Sequence, residues 1–531
     1  MPLLPLLRRL ALPLALLPAA CTSSADEPAA PSSLSPPVPH TAQATPHPWR
    51  QPFGYGCNLG YYGPAWTDEQ LAAAVRQAGG NTLRVSLPEQ FLAQWGCDAR
   101  RAAFRLYADS LHLGNLLCFV GEPSAAHRDP VTYPGSPEQS KLFDNLYEPT
   151  WLPSGQVNPR NYYAAYLAEV VQRYGRHVQV WEIVNEPDYI TGTTNTEWLR
   201  RPPTPAELPN LRAPIYRYIR MLRISWEVVK KYQPDAYVTP GGLGYAEYLD
   251  ALLRYTDNPR DGSASPEFPA TGGAYFDALA YHVYPTYDLR RRSWQRAGGF
   301  VYTRTSDYAA EQVLAHQQAM QATLARYGYN GRTYPAKPLL VSEVNVSRRP
   351  MDWRTSSDEL QRNFGVKALV LAQRAGLGQL HFYRVGEGAD APAPGTAVGP
   401  EQEFELMGLY ENLRQQPPGR QRLTELGQAV RTAGRLLAAH PYDSAATAAL
   451  RLPAGVGGAA FGPAGHGALV LWAQARTDQS EQAAATYTLP ATWPAARLRR
   501  YEWNHLPGTP GQFCPGPQVS LTAAPSVFVL Q

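Results

Sequence analysis

Short apolar runs alternate with longer amphipathic stretches over most of the chain. Eight runs have the length and composition of single strands, and they lie at 53–59, 81–85, 116–120, 177–184, 236–240, 276–283, 339–344 and 380–385. Helical patterns are predicted at 67–78, 98–113, 159–174, 213–232, 307–327 and 358–375. The first of these has Thr67 as its N-cap, acids in its first turn and Gly79 at its end, which are typical helix boundaries.

Alternating strands and helices predict a parallel sheet covered by helices. Eight such units within residues 49–440 fit an α/β fold of the (β/α)8 TIM barrel type with long loops. An open doubly wound sheet is the alternative, but no glycine-rich phosphate-binding loop opens any of the helices. In a barrel, functional residues are expected where the strands end and the following loops begin.

The pattern changes near residue 441. A helix predicted at 420–439 closes the barrel, and short strands then follow at 459–461, 468–473, 485–489, 498–503 and 519–530, separated by Gly, Pro and Asp. This spacing predicts a small C-terminal antiparallel β-sandwich domain over residues 441–531.

The N-terminus has the features of an export signal. Arg8 and Arg9 precede an apolar run that is too short to span a bilayer, so residues 1–20 are predicted to be a signal peptide. Leu17 to Cys21 resembles the lipobox of bacterial lipoproteins, with Pro18 as a departure from it. The resemblance implies lipidation of Cys21, and a membrane anchor in the bacterial cell envelope, at a periplasmic or outer surface. Plain cleavage near Ala20 and free secretion are the alternative.

Residues 21–48 are rich in Pro, Ser and Ala and are predicted to be a linker. Of the 531 residues 44% are hydrophobic and 17% charged, so the rest of the chain can bury a core. The net charge of +4 is spread thinly, which makes nucleic acid an unsuitable partner. The remaining cysteines have no C-x-x-C spacing, which argues against structural zinc, whereas a disulfide between Cys57 and Cys97 stays open.

Two predicted strand ends carry a glutamate in an apolar context. The fourth strand ends in VWEIVNEP, which places Asn185 and Glu186 at the rim before Pro187 stops the strand. The seventh strand ends in LLVSEVN, where Glu343 is the single carboxylate. Either glutamate alone could be a structural ion-pair partner, but two of them across one barrel mouth indicate paired-carboxylate chemistry.

This combination resembles the retaining glycoside hydrolases of clan A. The resemblance covers roughly residues 53–439 and implies that Glu186 is the acid/base and Glu343 the nucleophile. Asn185 would contact the sugar 2-hydroxyl. The C-terminal β domain is similar to those of glycoside hydrolase families 39, 30, 51 and 79. Among these, its arrangement loosely resembles that of family 39.

Residues from other strands support this interpretation. Arg84 near the end of the second strand is expected to pair with Glu343 and keep it ionised, or else to form a structural ion pair with Glu182. His282 and Tyr284 share a face at the end of the sixth strand. By the resemblance, Tyr284 contacts Glu343 and His282 contacts Glu186.

Aromatic side chains are candidates for stacking on sugar rings. Where many clan A families have a Trp on the eighth strand, this chain offers Phe382 or Tyr383. Tryptophans in or near the expected loops are Trp66, Trp95, Trp181, Trp294 and Trp353, with ordinary packing as the alternative for each. Tyr383 and Trp181 are taken as the candidate sugar-binding residues.

These observations predict a retaining hydrolase that cleaves O-glycosidic bonds of an oligo- or polysaccharide by double displacement, with no metal and no cofactor. One alternative is a non-catalytic polysaccharide-binding lipoprotein on the same barrel. Another is a metal-dependent barrel hydrolase, but no H-x-H follows the first strand.

Overall fold

The computed structural model describes residues 48–190, 195–290, 292–295, 298–351, 354–463 and 466–531. The described residues all belong to one compact unit. The signal peptide, the lipidation site Cys21 and all of the predicted linker except Pro48 lie outside the described residues. No helix among the described residues is long and apolar enough to cross a membrane.

The first part of the chain is built on parallel strands. The strands are β1 (Gly54–Asn58), β2 (Thr82–Ser86), β3 (Leu116–Val120), β4 (Val178–Ile183), β5 (Tyr237–Pro240), β6 (Leu279–Val283), β7 (Ser293–Gln295), β8 (Gly299–Val301), β9 (Leu339–Val344) and β10 (Gln379–Phe382). Strands β7 and β8 form an antiparallel hairpin in the loop after β6. The other eight form one sheet in the order β5-β4-β3-β2-β1-β10-β9-β6.

The two ends of this sheet meet through the segment that follows β5. The amide of Leu243 donates to the carbonyl of Ala280 at 3.1 Å, and the carbonyl of Leu243 accepts from the amide of His282 at 3.0 Å. The sheet is therefore a closed barrel. The (β/α)8 prediction is confirmed, and the open doubly wound sheet is excluded.

Helices cover the barrel. They are α1 (Asp68–Gln77), α2 (Glu89–Trp95), α3 (Arg101–Arg105), α4 (Tyr162–Tyr174), α5 (Ile215–Tyr232), α6 (Ala246–Arg254), α7 (Ser306–Arg326), α8 (Asp358–Arg374), α9 (Pro400–Glu405) and α10 (Glu425–Leu437). Thr67 caps α1, as its sequence predicts, and Gln70 completes a reciprocal capping box. The helix predicted at 98–113 is present but shorter, because it consists of α3 and the π-helical turn Leu106–Ser110 that continues it. Helix α2 was not predicted, and it ends before Gly96, whose φ is +86°.

The C-terminal part is antiparallel. It begins with α11 (Ser444–Ala449) and continues with β11 (Val456–Phe461), β12 (Ala468–Ala473), β13 (Ala484–Thr488), β14 (Leu498–Tyr501), β15 (Gln512–Phe513), β16 (Gln518–Thr522) and β17 (Ser526–Leu530). Strands β11-β12-β17-β14-β15 form one sheet and β13-β16 a second. Residues of both sheets, such as Phe528 and Leu521, share one core, as expected for a β-sandwich.

The five-stranded sheet packs on α8 and α10 of the barrel through an apolar cluster that includes Val370, Ala433 and Trp472. Polar contacts also join the barrel to the C-terminal sheet at this interface. Asp307 at the start of α7 accepts from the indole of Trp472 at 2.8 Å and pairs with Lys367 at 2.7 Å.

The described cysteines, Cys57, Cys97, Cys118 and Cys514, are all free. The disulfide left open between Cys57 and Cys97 is therefore absent from this structure. Cys57 and Cys118 lie on barrel strands and are fully buried, so they serve as core residues.

Candidate active site

Glu186 and Glu343 meet at the carboxyl-terminal end of the barrel. Glu343 lies on β9, and Glu186 lies three residues beyond the end of β4. One carboxylate oxygen of each, together with a ring nitrogen of His282, all lie within 4.8 Å of one another. The strand-end positions predicted from the sequence therefore bring two carboxylates face to face.

Arg84 on β2 connects the residues of this mouth. Its Nη1 atom donates to Oε1 of Glu343 at 2.6 Å and to Oδ1 of Asn58 at 2.5 Å. Its Nη2 atom donates to Glu182 and to Oδ1 of Asn185 at 2.7 Å. Both alternatives for Arg84 are thus realised, because the guanidinium pairs with Glu343 and with Glu182. Burial lowers the pKa of Arg84, but these carboxylates outweigh it and raise the pKa.

Both carboxylate oxygens of Glu343 accept hydrogen bonds. Oε1 accepts from Arg84, and Oε2 accepts from the Tyr284 hydroxyl at the end of β6. Burial and the neighbouring carboxylates raise the pKa of Tyr284 well above its ordinary value, so its hydroxyl stays protonated and donates. This arrangement stabilises Glu343 as a carboxylate with fixed orientation.

His282 contacts the other carboxylate. Its Nδ1 atom lies 2.8 Å from Oε1 of Glu186 and 3.7 Å from Oε2 of Glu343. Burial opposes charge on Glu186, but the hydrogen bond from His282 and the charges of His282 and Arg84 lower its pKa. Burial likewise lowers the pKa of His282, yet the charges of Glu343 and Glu186 outweigh it and raise that pKa. In the free site, the pair of Glu186 and His282 therefore holds one shared proton on the histidine side.

The segment that carries Glu186 has unusual backbone geometry. Val184 has φ +63° and Glu186 has φ +47°, which is the left-handed region that side chains with a Cβ rarely adopt. Nδ2 of Asn210 donates to the carbonyl of Glu186 at 3.0 Å and to that of Asn185 at 3.3 Å. These bonds hold the Asn185 and Glu186 side chains in the mouth despite the strain.

The other sugar-binding candidates divide into two groups. Tyr383 lies in the mouth, where its ring is edge-on to Tyr284 with centroids 5.9 Å apart, and its peptide bond to Arg384 is cis. Trp181 does not reach the mouth, so this candidate is corrected. Side chains alternate along β4, and since Glu182 points inward, Trp181 points to the helices, where its indole donates to Gln233 at 3.0 Å.

The remaining tryptophans are scattered. Trp66 is buried and donates to the carbonyl of Leu413 at 2.9 Å, so it is a packing residue. Trp95 on α2 and Trp294 on the hairpin are exposed. Trp353 lies outside the described residues.

The structure adds residues that the sequence analysis did not name. Asp188 is buried, and one oxygen accepts from the amides of Gly244 and Tyr245, each at 2.9 Å. Burial raises the pKa of Asp188 to about 7. This contact fixes the loop after β5 beside His282. A Cβ on Gly242 in that loop would lie 2.0 Å from Nε2 of His282, so only glycine allows the close approach.

Glu186, His282 and Glu343 are ligand types for a divalent metal, and their spacing would permit one. However, Arg84 and Tyr284 already occupy both oxygens of Glu343, and His282 occupies Oε1 of Glu186. The guanidinium charge beside Glu343 also repels a cation. These contacts and the adjacent positive charge make the three side chains a poor site for a metal ion.

The fold is similar to those of solved glycoside hydrolases. A family 39 glycoside hydrolase from the gut symbiont Bacteroides cellulosilyticus WH2 has a TM-score of 0.55 at 15% identity, with 90% of this chain and 81% of that chain covered. A GH30 endoxylanase from Clostridium papyrosolvens C71 has a TM-score of 0.50 at 13% identity, with 91% and 97% covered. A glucosidase from Croceicoccus marinus has a TM-score of 0.50 at 14% identity, with 91% and 96% covered.

These neighbours share the barrel fold that the resemblance to clan A and, loosely, to family 39 implies. At such low identities the likeness concerns the fold alone. No protein-family model matches the sequence, and no curated protein matches it either.

Proposed function

We propose that the protein is a retaining glycoside hydrolase of oligo- or polysaccharides. The observation that carries this proposal is the pair of carboxylates, whose nearest oxygens lie within 4.8 Å at the mouth of the barrel. Retaining enzymes need carboxyl groups about 5–5.5 Å apart, whereas inverting enzymes separate them by about 6.5–9.5 Å to admit a water molecule.

In the first step, Glu343 attacks the anomeric carbon while Glu186 protonates the departing glycosidic oxygen. The C–O bond breaks, and a glycosyl ester forms on Glu343. Arg84 and Tyr284 orient the attacking carboxylate through the hydrogen bonds to its two oxygens. The proton that His282 holds in the free site passes to Glu186 across their 2.8 Å contact, and Glu186 then gives it to the leaving oxygen.

In the second step, Glu186 takes a proton from water, and that water displaces the sugar from Glu343. Two displacements at one carbon restore its starting configuration. The Oδ1 atom of Asn185 accepts from Arg84, which directs its amide N–H groups away from that bond and leaves them to donate to the sugar 2-hydroxyl. Such a contact strengthens as positive charge develops on the sugar ring.

The same proposal includes the cellular setting. Residues 1–21 have the features of a lipoprotein signal, so the enzyme would be exported and held at the cell envelope by lipid on Cys21. A polysaccharide is too large to enter a cell readily, and a surface-tethered hydrolase would meet it outside.

The test is a screen of aryl glycosides and oligosaccharides of gluco, xylo, galacto, manno and uronic sugars. We expect the wild-type protein to cleave at least one of them. Glu186→Gln should reduce turnover of the natural linkage by roughly 10²- to 10⁴-fold, and Glu343→Gln by at least as much. Glu169→Gln on the surface of α4 is the matched control and should retain activity.

A wild-type protein that binds polysaccharide in affinity electrophoresis but cleaves nothing in the panel would contradict the proposal. That result would support the non-catalytic binding lipoprotein instead.

A further inference from the structure

Two exposed tyrosines each lie three residues after a residue of the candidate active site. Tyr189 lies three residues after Glu186, and its amide donates to the Glu186 carbonyl at 3.1 Å. Tyr287 lies three residues after Tyr284, and its amide donates to the Tyr284 carbonyl at 3.0 Å. In both cases a tight turn at the strand end places an aromatic residue close to a residue of the candidate site.

Both side chains are open to solvent, with 46% of the surface of Tyr189 and 46% of that of Tyr287 exposed. Large aromatic side chains are usually covered in a folded protein, and Tyr284 itself is more buried than either of these two rings. Two half-exposed rings beside a catalytic carboxylate therefore offer apolar surface that a ligand can cover.

The two rings lie near Glu186, as their electrostatic coupling to that carboxylate indicates. Burial and the charge of Glu403 raise the pKa of Tyr287, and Tyr189 and Glu186 are close enough to add to this shift. Tyr245 belongs to the same group, since its pKa of about 12 reflects burial and the charge of Asp188, with additions from Tyr287, Glu186 and Tyr189. The three tyrosines come from the loops after β4, β5 and β6.

A separate aromatic group lies by the other glutamate. Tyr383 packs edge-on against Tyr284 and Phe404, with ring centroids 5.9 Å and 6.3 Å away. The charge of Glu343 contributes to the raised pKa of Tyr383. Aromatic side chains therefore lie near both carboxylates, with Tyr189, Tyr245 and Tyr287 near Glu186 and Tyr383 near Glu343.

The ring of Tyr287 is held in place by charged and polar neighbours. The guanidinium of Arg354 lies 4.6 Å from the ring centre of Tyr287, and Arg354 is paired with the buried Glu403. Glu403 also accepts from Thr286 at 2.6 Å, which ties the residue before Tyr287 to the same support. A side chain that is already held in one position loses little conformational entropy when a ligand packs on its ring.

We infer that Tyr189 and Tyr287 form the leaving-group subsite and that this subsite takes a pyranose ring. The inference rests on the proposed function, in which Glu186 protonates the glycosidic oxygen and the leaving group therefore departs on the Glu186 side. Sugar rings present apolar C–H faces that pack on aromatic rings. The enzyme would accordingly cleave between two sugar units rather than release a small alkyl group.

The experiment compares two leaving groups on the same sugar. One substrate is the di- or trisaccharide that the wild-type protein cleaves fastest in a panel of gluco-, xylo-, galacto- and mannosaccharides. The other is the glycosyl fluoride of the same sugar, whose single-atom leaving group cannot reach the tyrosines. Tyr189→Ala and Tyr287→Ala should each lower kcat/KM on the oligosaccharide about tenfold or more, and change it by less than about twofold on the fluoride.

Two further variants separate ring packing from other effects. Tyr189→Phe and Tyr287→Phe keep the ring and should stay within about threefold of the wild-type protein on both substrates. Phe513→Ala removes an exposed aromatic side chain from β15 in the β domain and should change neither rate.

Equal losses on the oligosaccharide and the fluoride would overturn the inference, because they would reflect damage to the catalytic residues. Unchanged rates for the Ala variants, or Phe variants as poor as the Ala variants, would overturn it as well. So would a wild-type enzyme that cleaves fluorides but no oligosaccharide. A wild-type protein that cleaves neither would contradict the proposed function itself, and the inference with it.

Discussion

The Nδ1 atom of His282 lies 2.8 Å from Oε1 of Glu186. Each partner shifts the pKa of the other, downward for Glu186 and upward for His282. The two side chains therefore act as a single unit that keeps one proton over a wider pH range than either group would alone. In the proposed mechanism this is the proton that the leaving group needs.

The first prediction concerns the alkaline limb of the pH profile. Because the pKa of His282 is raised, the wild-type pair should keep its proton above the ordinary histidine value of about 6.5. His282→Gln removes the imidazole that holds this proton, so the alkaline limb of kcat/KM should move to lower pH by about one unit or more. His177→Gln, at the opposite end of β4, is the control. An unchanged alkaline limb in His282→Gln would show that the histidine does not hold the proton.

The second prediction concerns Arg84. Lysine keeps the charge but cannot serve four acceptors in a plane, so Arg84→Lys should leave Asn58 or Asn185 unpaired and misorient Glu343. We expect kcat/KM to fall by roughly 10²- to 10³-fold, as when one fixed donor is lost from an active site. Arg220→Lys, another buried ion-paired arginine, should keep its activity. Near-wild-type turnover in Arg84→Lys would contradict the positioning role.

The third prediction concerns Asp188 and stability. Its pKa is raised from 3.8 to about 7 in the folded protein, so ionisation disfavours the folded state as the pH rises between these values. Asparagine can accept the same two backbone bonds without charge. Asp188→Asn should therefore gain Tm relative to the wild-type protein as the pH rises from about 4 to 7.

The control for this series is Asp261→Asn. The pKa of Asp261 is lowered, chiefly by hydrogen bonds with Ser263, so this variant should not gain Tm relative to the wild-type protein over the same range. Parallel Tm curves for Asp188→Asn and the wild-type protein would contradict the raised pKa.

The fourth prediction concerns export. If Cys21 carries lipid, Cys21→Ser should move the protein from the membrane fraction to the soluble fraction of a bacterial host, as followed by immunoblotting. A substituted protein that still sediments with membranes would mean that something other than lipid holds it there.

Much of the barrel could be predicted from the sequence. The strands at 116–120 and 339–344 have the predicted bounds, because short runs made mostly of apolar residues and buried on both faces give a clear signal. Helix α6 was not predicted. Its N-cap, Tyr245, forms no side-chain capping bond, and the distant Asp188 binds the Gly244 and Tyr245 amides instead.

The residues of the candidate site likewise divide into those that the sequence predicts and those that it does not. Glu186 and Glu343 follow from short motifs at strand ends, whereas Asn58, Asp188 and Asn210 depend on long-range contacts that no local pattern reveals. The placement of Trp181 was wrong although a signal was present. Its neighbour Glu182 had to face inward to pair with Arg84, and strand alternation then turns Trp181 outward.

The most direct test of the central claim is azide rescue followed by determination of the product's configuration. In Glu186→Ala, an activated aryl glycoside can still glycosylate Glu343, and azide then needs no base to displace the sugar. We expect restored turnover and a glycosyl azide with the configuration of the substrate, after two displacements. In Glu343→Ala, azide should attack directly and give the opposite configuration.

NMR of the two products therefore assigns each glutamate its role. Retained configuration from Glu186→Ala and inverted configuration from Glu343→Ala are the results expected here. Exchanged outcomes would reverse the two roles, and undiminished activity in both variants without azide would contradict glycosidase chemistry at this site.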